Sequence, residues 1–500
     1  MDGQVIRKVV IAGGGTAGWC VAAALSRLLH PLLDITLVES AEIGIVGVGE
    51  ATVPTIRAFH RNLGIDERDF MRNCQAGIKL GINFQNWARI GDRYIHSFGL
   101  VGKSPWIAPF HHFWLHARTL GFGGDLNDYC LEHRAADAAK FYTGENGPLS
   151  YAYHFDTALY GPYLRKLSEA AGARRIEGKI KSVQQDSETG NVTSLTMESG
   201  QVIEGDLFID CTGFRGLLIE GALKTGYEDW NHWLANDSAW ACQTGLHGRL
   251  SPMTSAIAHQ AGWRWEIPLQ HRIGNGFVYS SKHLSDDDAR AQFMRELKAP
   301  VTTEPHLIKF RTGRRKKIWN KNVICFGLAS GFIEPLESTN IHLMQICATR
   351  LVQMFPFSGI HEAQVQHFNQ ATAREVEKIR NFVIMHYKLT ERDDTEYWKS
   401  RRDMEVPEDL AMRVQMFRDC GHLFQAEEEL FRIDSWLQVL PGQRVHANGY
   451  HQIARAMPEA RLREMLDGMR AEVEATLARL PDYETFIRQY GGAPKPMTAG

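Results

Sequence analysis

An apolar run at residues 8–11, a glycine turn, a stretch of helical spacing over 16–29 and a second apolar run at 35–38 open the chain. That succession predicts a strand–helix–strand unit. Further apolar runs at 202–210 and 322–326 predict later strands, so the unit is expected to be discontinuous. Residues 55–155, rich in Trp, His, Phe and Gly, read as an insertion lining a pocket, and 225–310 as a second one. Beyond 345 the spacing turns helical, and Leu462, Met465, Leu466, Met469, Val473, Leu477 and Leu480 fall on one apolar face. The expected division is a discontinuous domain over 1–345, a helical substrate region over 346–490 and a flexible tail over 491–500.

The turn after the first apolar run reads Gly13, Gly14, Gly15, Thr16, Ala17, Gly18. Following a strand and opening a helix, it is placed as a dinucleotide fingerprint requires: Gly13 for the tight turn, Gly15 for close approach to a pyrophosphate, Gly18 for helix packing. Glu39 ends the second run at about the 20-residue spacing expected of a carboxylate that binds ribose hydroxyls. Amides at the helix start suit the phosphates. The fingerprint alone leaves FAD and NAD open.

Four separated segments narrow the reading. Asp206 to Gly216 reads Asp-Leu-Phe-Ile-Asp-Cys-Thr-Gly-Phe-Arg-Gly and resembles a segment of flavin monooxygenases and halogenases that passes close to FAD. Lys79 sits in Gln-Ala-Gly-Ile-Lys-Leu-Gly-Ile-Asn-Phe at 75–84; Trp263, Trp265, Ile267 and Pro268 form W-x-W-x-I-P; and 331–341 reads Gly-Phe-Ile-Glu-Pro-Leu-Glu-Ser-Thr-Asn-Ile. With the fingerprint, and in this order, these resemble the tryptophan halogenase family of flavin-dependent halogenases.

The resemblance implies an α/β fold: an FAD-binding, Rossmann-like domain of the flavin monooxygenase type, with a large insertion and a mainly helical C-terminal substrate region. It implies FAD supplied in reduced form by a separate NAD(P)H-dependent flavin reductase, and a halide ion, bromide or chloride. A flavin C4a-hydroperoxide would oxidise the halide to hypohalous acid, Lys79 would deliver it to an aromatic ring, and Glu337 would assist deprotonation of the arenium. An ammonium at Lys79 would hold the acid by a hydrogen bond and a neutral amine would form an N-haloamine; both routes stay open. Cofactor contacts are implied at Gly13, Gly14, Gly15, Thr16, Ala17, Gly18, Glu39, Gly49, Ile180, Leu328 and Ile341, with Gly49 in a second glycine turn at 47–52.

Thr339 and Asn340 match the halide site, where the family usually has glycine at the second position. Asparagine tolerates left-handed backbone better than most residues, so the geometry is expected to survive the departure. Bromide, less costly to dehydrate and easier to oxidise, is expected to be used better than chloride. His96 and Phe98 match the segment flanking an indole, and Phe431 and Trp436 complete the expected pocket. Members acting on free tryptophan carry a tyrosine pair and a glutamate for the head group. The stretch here reads Asp419-Cys420-Gly421-His422 and later Leu430 to Leu437, without that pair. Indole or a simple substituted indole is therefore expected over free tryptophan. The rival readings are an FAD-dependent aromatic monooxygenase, with no use for Lys79 and Glu337 together, and a noncatalytic flavin-binding protein.

Composition changes little. A formal charge of −2 over 500 residues offers no field for nucleic acid or an anionic membrane. The eight cysteines form no C-x-x-C pair, and no secretory leader or apolar run of roughly 20 residues is visible. A cytoplasmic enzyme with reduced thiols is expected, a homodimer being kept open. His111, His112 and His116 lack a further ligand, so no metal is expected. The basic run 311–317 reads as a solvated loop.

Overall fold

Val9, Val10 and Ile11, screened from solvent, form the strand Lys8–Ala12 inside a six-stranded sheet. Its order is Trp319–Asn320, Val323–Cys325, Leu207–Asp210, Lys8–Ala12, Asp34–Glu39, Arg174–Glu177, and every neighbouring pair is parallel except the first. Strands covered on both faces read as continuous apolar runs, which is why Lys8–Ala12, Asp34–Glu39, Leu207–Asp210 and Val323–Cys325 were visible and the edge strands Trp319–Asn320 and Arg174–Glu177 were not. The structure, a computed structural model, describes residues 5–43, 49–144 and 147–492. Most of the tail, and residues 47 and 48 of the second glycine turn, lie outside the described residues.

The chain folds as two units. The first comprises the described residues up to Ala76 with Phe155–Asp237 and Lys309–Glu377; the second comprises Gly77–His154, Ser238–Ile308 and the described residues from Lys378 onward. In the first, the helix Thr16–Leu29 connects the two parallel strands of the fingerprint and packs against the helices Thr157–Ala170 and Asn340–Gln353. The apolar run 202–210 is two strands, not one. Val202–Glu204 joins a separate three-stranded antiparallel sheet, while Leu207–Asp210 enters the parallel sheet. The break falls at Gly205, where a Cβ would sit 2.7 Å from Val10, and at Asp206, whose carboxylate accepts from the amides of Arg7 and Lys8 at 2.9 and 2.8 Å.

The basic run also departs from expectation. Gly313–Arg315 is the middle strand of a small sheet, between Tyr227–Asp229 and Gly331–Phe332. Arg315 is buried, donating to Ala329 O at 3.0 Å and Glu220 at 2.7 Å, and Arg314 pairs with Glu228 and Glu377. Arginines read as solvated are here the pins of the strand that leads toward Glu337, because a guanidinium has donors enough to serve backbone and carboxylate together.

The second unit is built on a seven-stranded sheet in the order His306–Lys309, Ser238–Thr244, Ile273–Tyr279, Gly262–Pro268, Met253–His259, Gly81–Gln85, Arg93–Ser97. Gly262–Pro268 is buried at every position, so Trp263 and Trp265 are core. Trp265 needs Gly276 opposite it: a Cβ there would meet its ring at 1.9 Å. The helix Glu459–Arg479 buries Leu462, Leu466 and Leu477 and half-buries Met465, Met469 and Val473, the stripe read from spacing. Among the described residues no helix is long and apolar enough to cross a membrane.

Candidate active site

In the first unit the glycines are dictated by contact. Gly13 has φ 105°, and a Cβ on it would meet Cys211 O at 2.3 Å; on Gly14 it would meet the Glu39 carboxylate at 1.6 Å, and on Gly18 the Gly13 carbonyl at 1.9 Å. Gly15 differs: nothing lies within 4 Å of its Cβ position, and as N-cap of Thr16–Leu29 it leaves the helix start without a side-chain cap. Open space in front of uncapped amides is what a pyrophosphate needs. Glu39 accepts from Trp19 Nε1 at 3.2 Å and pairs with Arg175, with Arg165 at 3.8 Å, so its carboxylate is held at the strand end.

Two of the other residues expected to contact the cofactor, Leu328 and Ile341, lie on elements that meet the helix Thr16–Leu29. Leu328 lies in the turn Gly327–Ala329, which abuts the helix start: a Cβ on Gly327 would lie 2.7 Å from that of Ala17. Ile341 is buried in the helix Asn340–Gln353, which packs on Thr16–Leu29. Ile180 begins the strand Ile180–Gln185 and is half-buried, and Gly49 has φ 78°. Asp210, missed in the sequence, organises the segment after its strand. Its Oδ1 accepts from the amide and hydroxyl of Thr212 at 3.0 and 2.6 Å, and its Oδ2 from the amides of Leu218 and Ile219, both at 2.8 Å. A buried polar residue ending an apolar strand was the available signal.

Glu337 is buried in the turn Pro335–Glu337. Ser338 then reverses the chain in a left-handed conformation, φ 60° and ψ 38°, and Thr339 caps the helix that Asn340 begins. Asn340 therefore has no need of left-handed tolerance; that demand falls on Ser338. The expectation for Asn340 is corrected, since as the first helical residue it adopts ordinary helical backbone. Thr339 Oγ1 is buried and makes no hydrogen bond to protein, and the helix start again has no side-chain cap. Two residues on, His342 bridges Thr55 Oγ1 at 2.9 Å and Glu375 at 3.2 Å. Burial alone would raise the Glu375 carboxyl, but bonds from His342 and Arg350 outweigh it and hold it below its ordinary value.

In the second unit Lys79 ends the strand Gly77–Lys79, opposite Ala152, and is fully buried. Its Nζ lies 5.3 Å from the centroid of Phe98. On the facing strand His154 is held well below its usual value, first by burial and then by the charge of Lys79, and bonds Thr254 Oγ1 at 2.9 Å. His96, Phe431 and Trp436 come together around Phe382, a residue the sequence reading did not single out. The ring centroids of His96, Phe431 and Trp436 lie 5.5, 3.9 and 5.1 Å from that of Phe382. Phe98 stands apart from this group, beside Lys79. His111, His112 and His116 are committed to Gly421 O, the His451 amide and Tyr450 OH.

A parallel sheet with a glycine cradle at its first strand–helix turn defines a dinucleotide-binding α/β protein, and its second unit buries a lysine wholly beside an aromatic ring. The sequence pattern of the tryptophan halogenase family matches residues 8–459. The chain is 33% identical to the tryptophan 7-halogenase RebH of Lentzea aerocolonigenes over 98% of its own length and 100% of the relative's. Among solved structures it resembles Xcc4156, a flavin-dependent halogenase from Xanthomonas campestris, at 49% identity and TM-score 0.97, covering 99% of this chain and 100% of that one. It also resembles BrvH, a flavin-dependent halogenase from Brevundimonas sp. BAL3, at 42% identity and TM-score 0.92, over 97% and 99% of the two chains. The chain belongs to the tryptophan halogenase family, a family of flavin-dependent enzymes.

Proposed function

We propose that this enzyme halogenates an electron-rich aromatic ring, indole or a simple substituted indole, with bromide used better than chloride. The observation that carries the reading is Lys79, a lysine with no solvent exposure facing the Phe98 ring, where an exposed lysine would be the ordinary outcome. The first unit is the flavin domain and the second carries the substrate. FAD fits the cradle: the open Cβ side of Gly15 and the uncapped amides would receive its pyrophosphate, and Glu39 the ribose hydroxyls. When bound in reduced form, delivered by a separate NAD(P)H-dependent reductase, it supplies the electrons with which oxygen converts halide and a proton to hypohalous acid and water.

The chain's own groups then divide the work. Thr339 Oγ1 and the amides at the start of Asn340–Gln353 hold the halide, as helix termini hold other anions. Lys79 retains the hypohalous acid by hydrogen bonding or as an N-haloamine and presents the electrophilic halogen to the ring. His154, held well below its ordinary value first by burial and then by Lys79, adds no second positive charge there. Glu337 accepts the proton lost from the ring, a task that needs an ionised, placed carboxylate and not a strong base, and typically contributes about 10²- to 10⁴-fold. His96, Phe431 and Trp436 form the aromatic wall.

Preference for indole over free tryptophan has a structural argument. Glu429, the buried acid just before Phe431, is bound to Arg413 through both carboxylate oxygens and accepts from the Ala426 amide at 2.9 Å. Arg413 is in turn stacked between Phe424 and Trp436, at 4.3 and 4.4 Å from their centroids. A carboxylate so occupied is unavailable to an ammonium head group, and a buried unpaired head group costs about 1–3 kcal/mol. Incubation with reduced FAD, oxygen, bromide and indole tests the reading: brominated indole is expected, whereas hydroxylated indole would assign oxygen transfer.

A further inference from the structure

The helix Ile433–Gly442 carries Asp434 and Gln438 one turn apart on one face, and Trp436 of the aromatic cluster on the opposite one. Gln438 Oε1 accepts from the Ser97 amide at 2.9 Å and the Ser97 hydroxyl at 2.7 Å, while its Nε2 donates to the Ser97 carbonyl at 3.2 Å and the Asp434 carbonyl at 3.1 Å. Every hydrogen-bonding position of that buried amide is used, and three of the four bonds go to one residue. Asp434 Oδ1 accepts from the Val101 amide at 2.8 Å. Two side chains of one helix thus grip both ends of the segment 97–101.

That segment continues directly from His96 and contains Phe98, the ring beside Lys79. It has little freedom from below: a Cβ on Gly99 would lie 2.0 Å from Glu132 Oε2 and 2.6 Å from Cys130 Sγ. Its outer side is open, Leu100 being 61% exposed. A turn packed on one face and open on the other keeps one conformation only as far as its ends are held. Sheet pairing holds the start of the turn, Ser97 opposite Gly81 and the Phe98 amide on Leu80 O at 3.0 Å; the clamp from the Trp436 helix adds the hold at Ser97 and Val101, and ties the placement of Phe98 to the placement of the Trp436 wall.

We propose that Gln438 and Asp434 are positioning residues that fix the 97–101 turn, and through it the angle at which Phe98 and His96 meet the substrate ring, so that they determine which ring carbon Lys79 serves. The inference rests on the proposed delivery of halogen by Lys79. Neither side chain belongs to the nucleotide unit, so oxidant production should be indifferent to them.

The test uses the full-length protein with FAD, a flavin reductase, oxygen, bromide and indole, comparing the unaltered chain with Gln438→Met, Asp434→Leu and Asp434→Asn. Amide hydrogen exchange of the 97–101 segment is measured on the same proteins without substrate. Gln438→Met and Asp434→Leu are expected to speed that exchange at least tenfold, raise KM for indole, flatten the distribution of bromoindole isomers and increase hypobromite caught by an external thiol, with flavin reoxidation unchanged. Asp434→Asn, which keeps an oxygen for the Val101 amide, is expected to retain the original isomer ratio. Unchanged exchange, or faster exchange with an unchanged isomer ratio, would overturn the proposal. So would flavin reoxidation falling in step with product, the mark of general unfolding. Absence of brominated product from the unaltered enzyme would overturn it through the reading of function beneath it, whatever the exchange data gave.

Discussion

Lys79 and Phe98 face one another, nitrogen to ring centroid at 5.3 Å, on neighbouring segments of the second unit. An ammonium over an aromatic face gains about 0.5–2 kcal/mol, more as it is desolvated.

Removing the lysine should therefore separate oxidant production from ring chemistry. Lys79→Ala is expected to lower brominated indole by at least about 100-fold while hypobromite trapped by a thiol rises toward the amount of flavin reoxidised. Chromatography of the indole products beside a trapping assay checks both halves. Glu337→Gln is expected to slow ring halogenation by about 10²- to 10⁴-fold.

Thr339 offers a cleaner substitution than most buried threonines. Its hydroxyl makes no hydrogen bond to protein, so Thr339→Val leaves no protein partner unsatisfied and should change the melting temperature little. If the hydroxyl holds the halide, the bromide concentration for half-maximal turnover should rise about tenfold, the effect of losing about 1.4 kcal/mol of binding. Titration of bromide at fixed indole measures it, and competition with chloride measures the expected preference.

The glycines of the fingerprint should not be equivalent. Gly15→Ala points its methyl into open space at φ −68°, so folding should be kept while FAD affinity falls by about tenfold or more. Gly18→Ala drives a methyl to within 1.9 Å of the Gly13 carbonyl and should cost about 1–3 kcal/mol of stability. Thermal melting beside FAD titration distinguishes the two.

Stability should fall on acidification. Burial holds His60 and His259 down to about 3, far below their ordinary value near 6.5. Each is neutral when folded and gains a proton on unfolding at any pH between those limits. Their contribution is present above pH 6.5 and is lost as pH falls toward 3, by up to about 1.4 kcal/mol per pH unit for each group. Melting temperature measured from pH 8 to 5 should be level at the start and decline below about 6.5.

What the sequence made legible were features with local causes. The fingerprint strands and helix stood at 8–11, 16–29 and 35–38, and Lys8–Ala12, Thr16–Leu29 and Asp34–Glu39 are the elements found. Periodicity and turn chemistry are carried by adjacent residues. Gly205 was not legible as a break because its reason is Val10, far away in sequence, and Arg315 read as solvated because its partners are Glu220 and Ala329. Phe382 escaped notice for the same reason: within a long helix it is one more apolar residue, and only its ring contacts with His96, Phe431 and Trp436 distinguish it. The burial of Lys79 is likewise tertiary, set by strands that pair across distant parts of the chain.

The most direct measurement is the mass of the product formed from indole by the enzyme with FAD, NADH, a flavin reductase, oxygen and bromide, beside Lys79→Ala. Brominated indole from the unaltered enzyme, lowered at least about 100-fold in Lys79→Ala, is the result expected. Hydroxylated indole, or bromination undiminished in Lys79→Ala, would contradict the assignment of Lys79 as the group that delivers halogen.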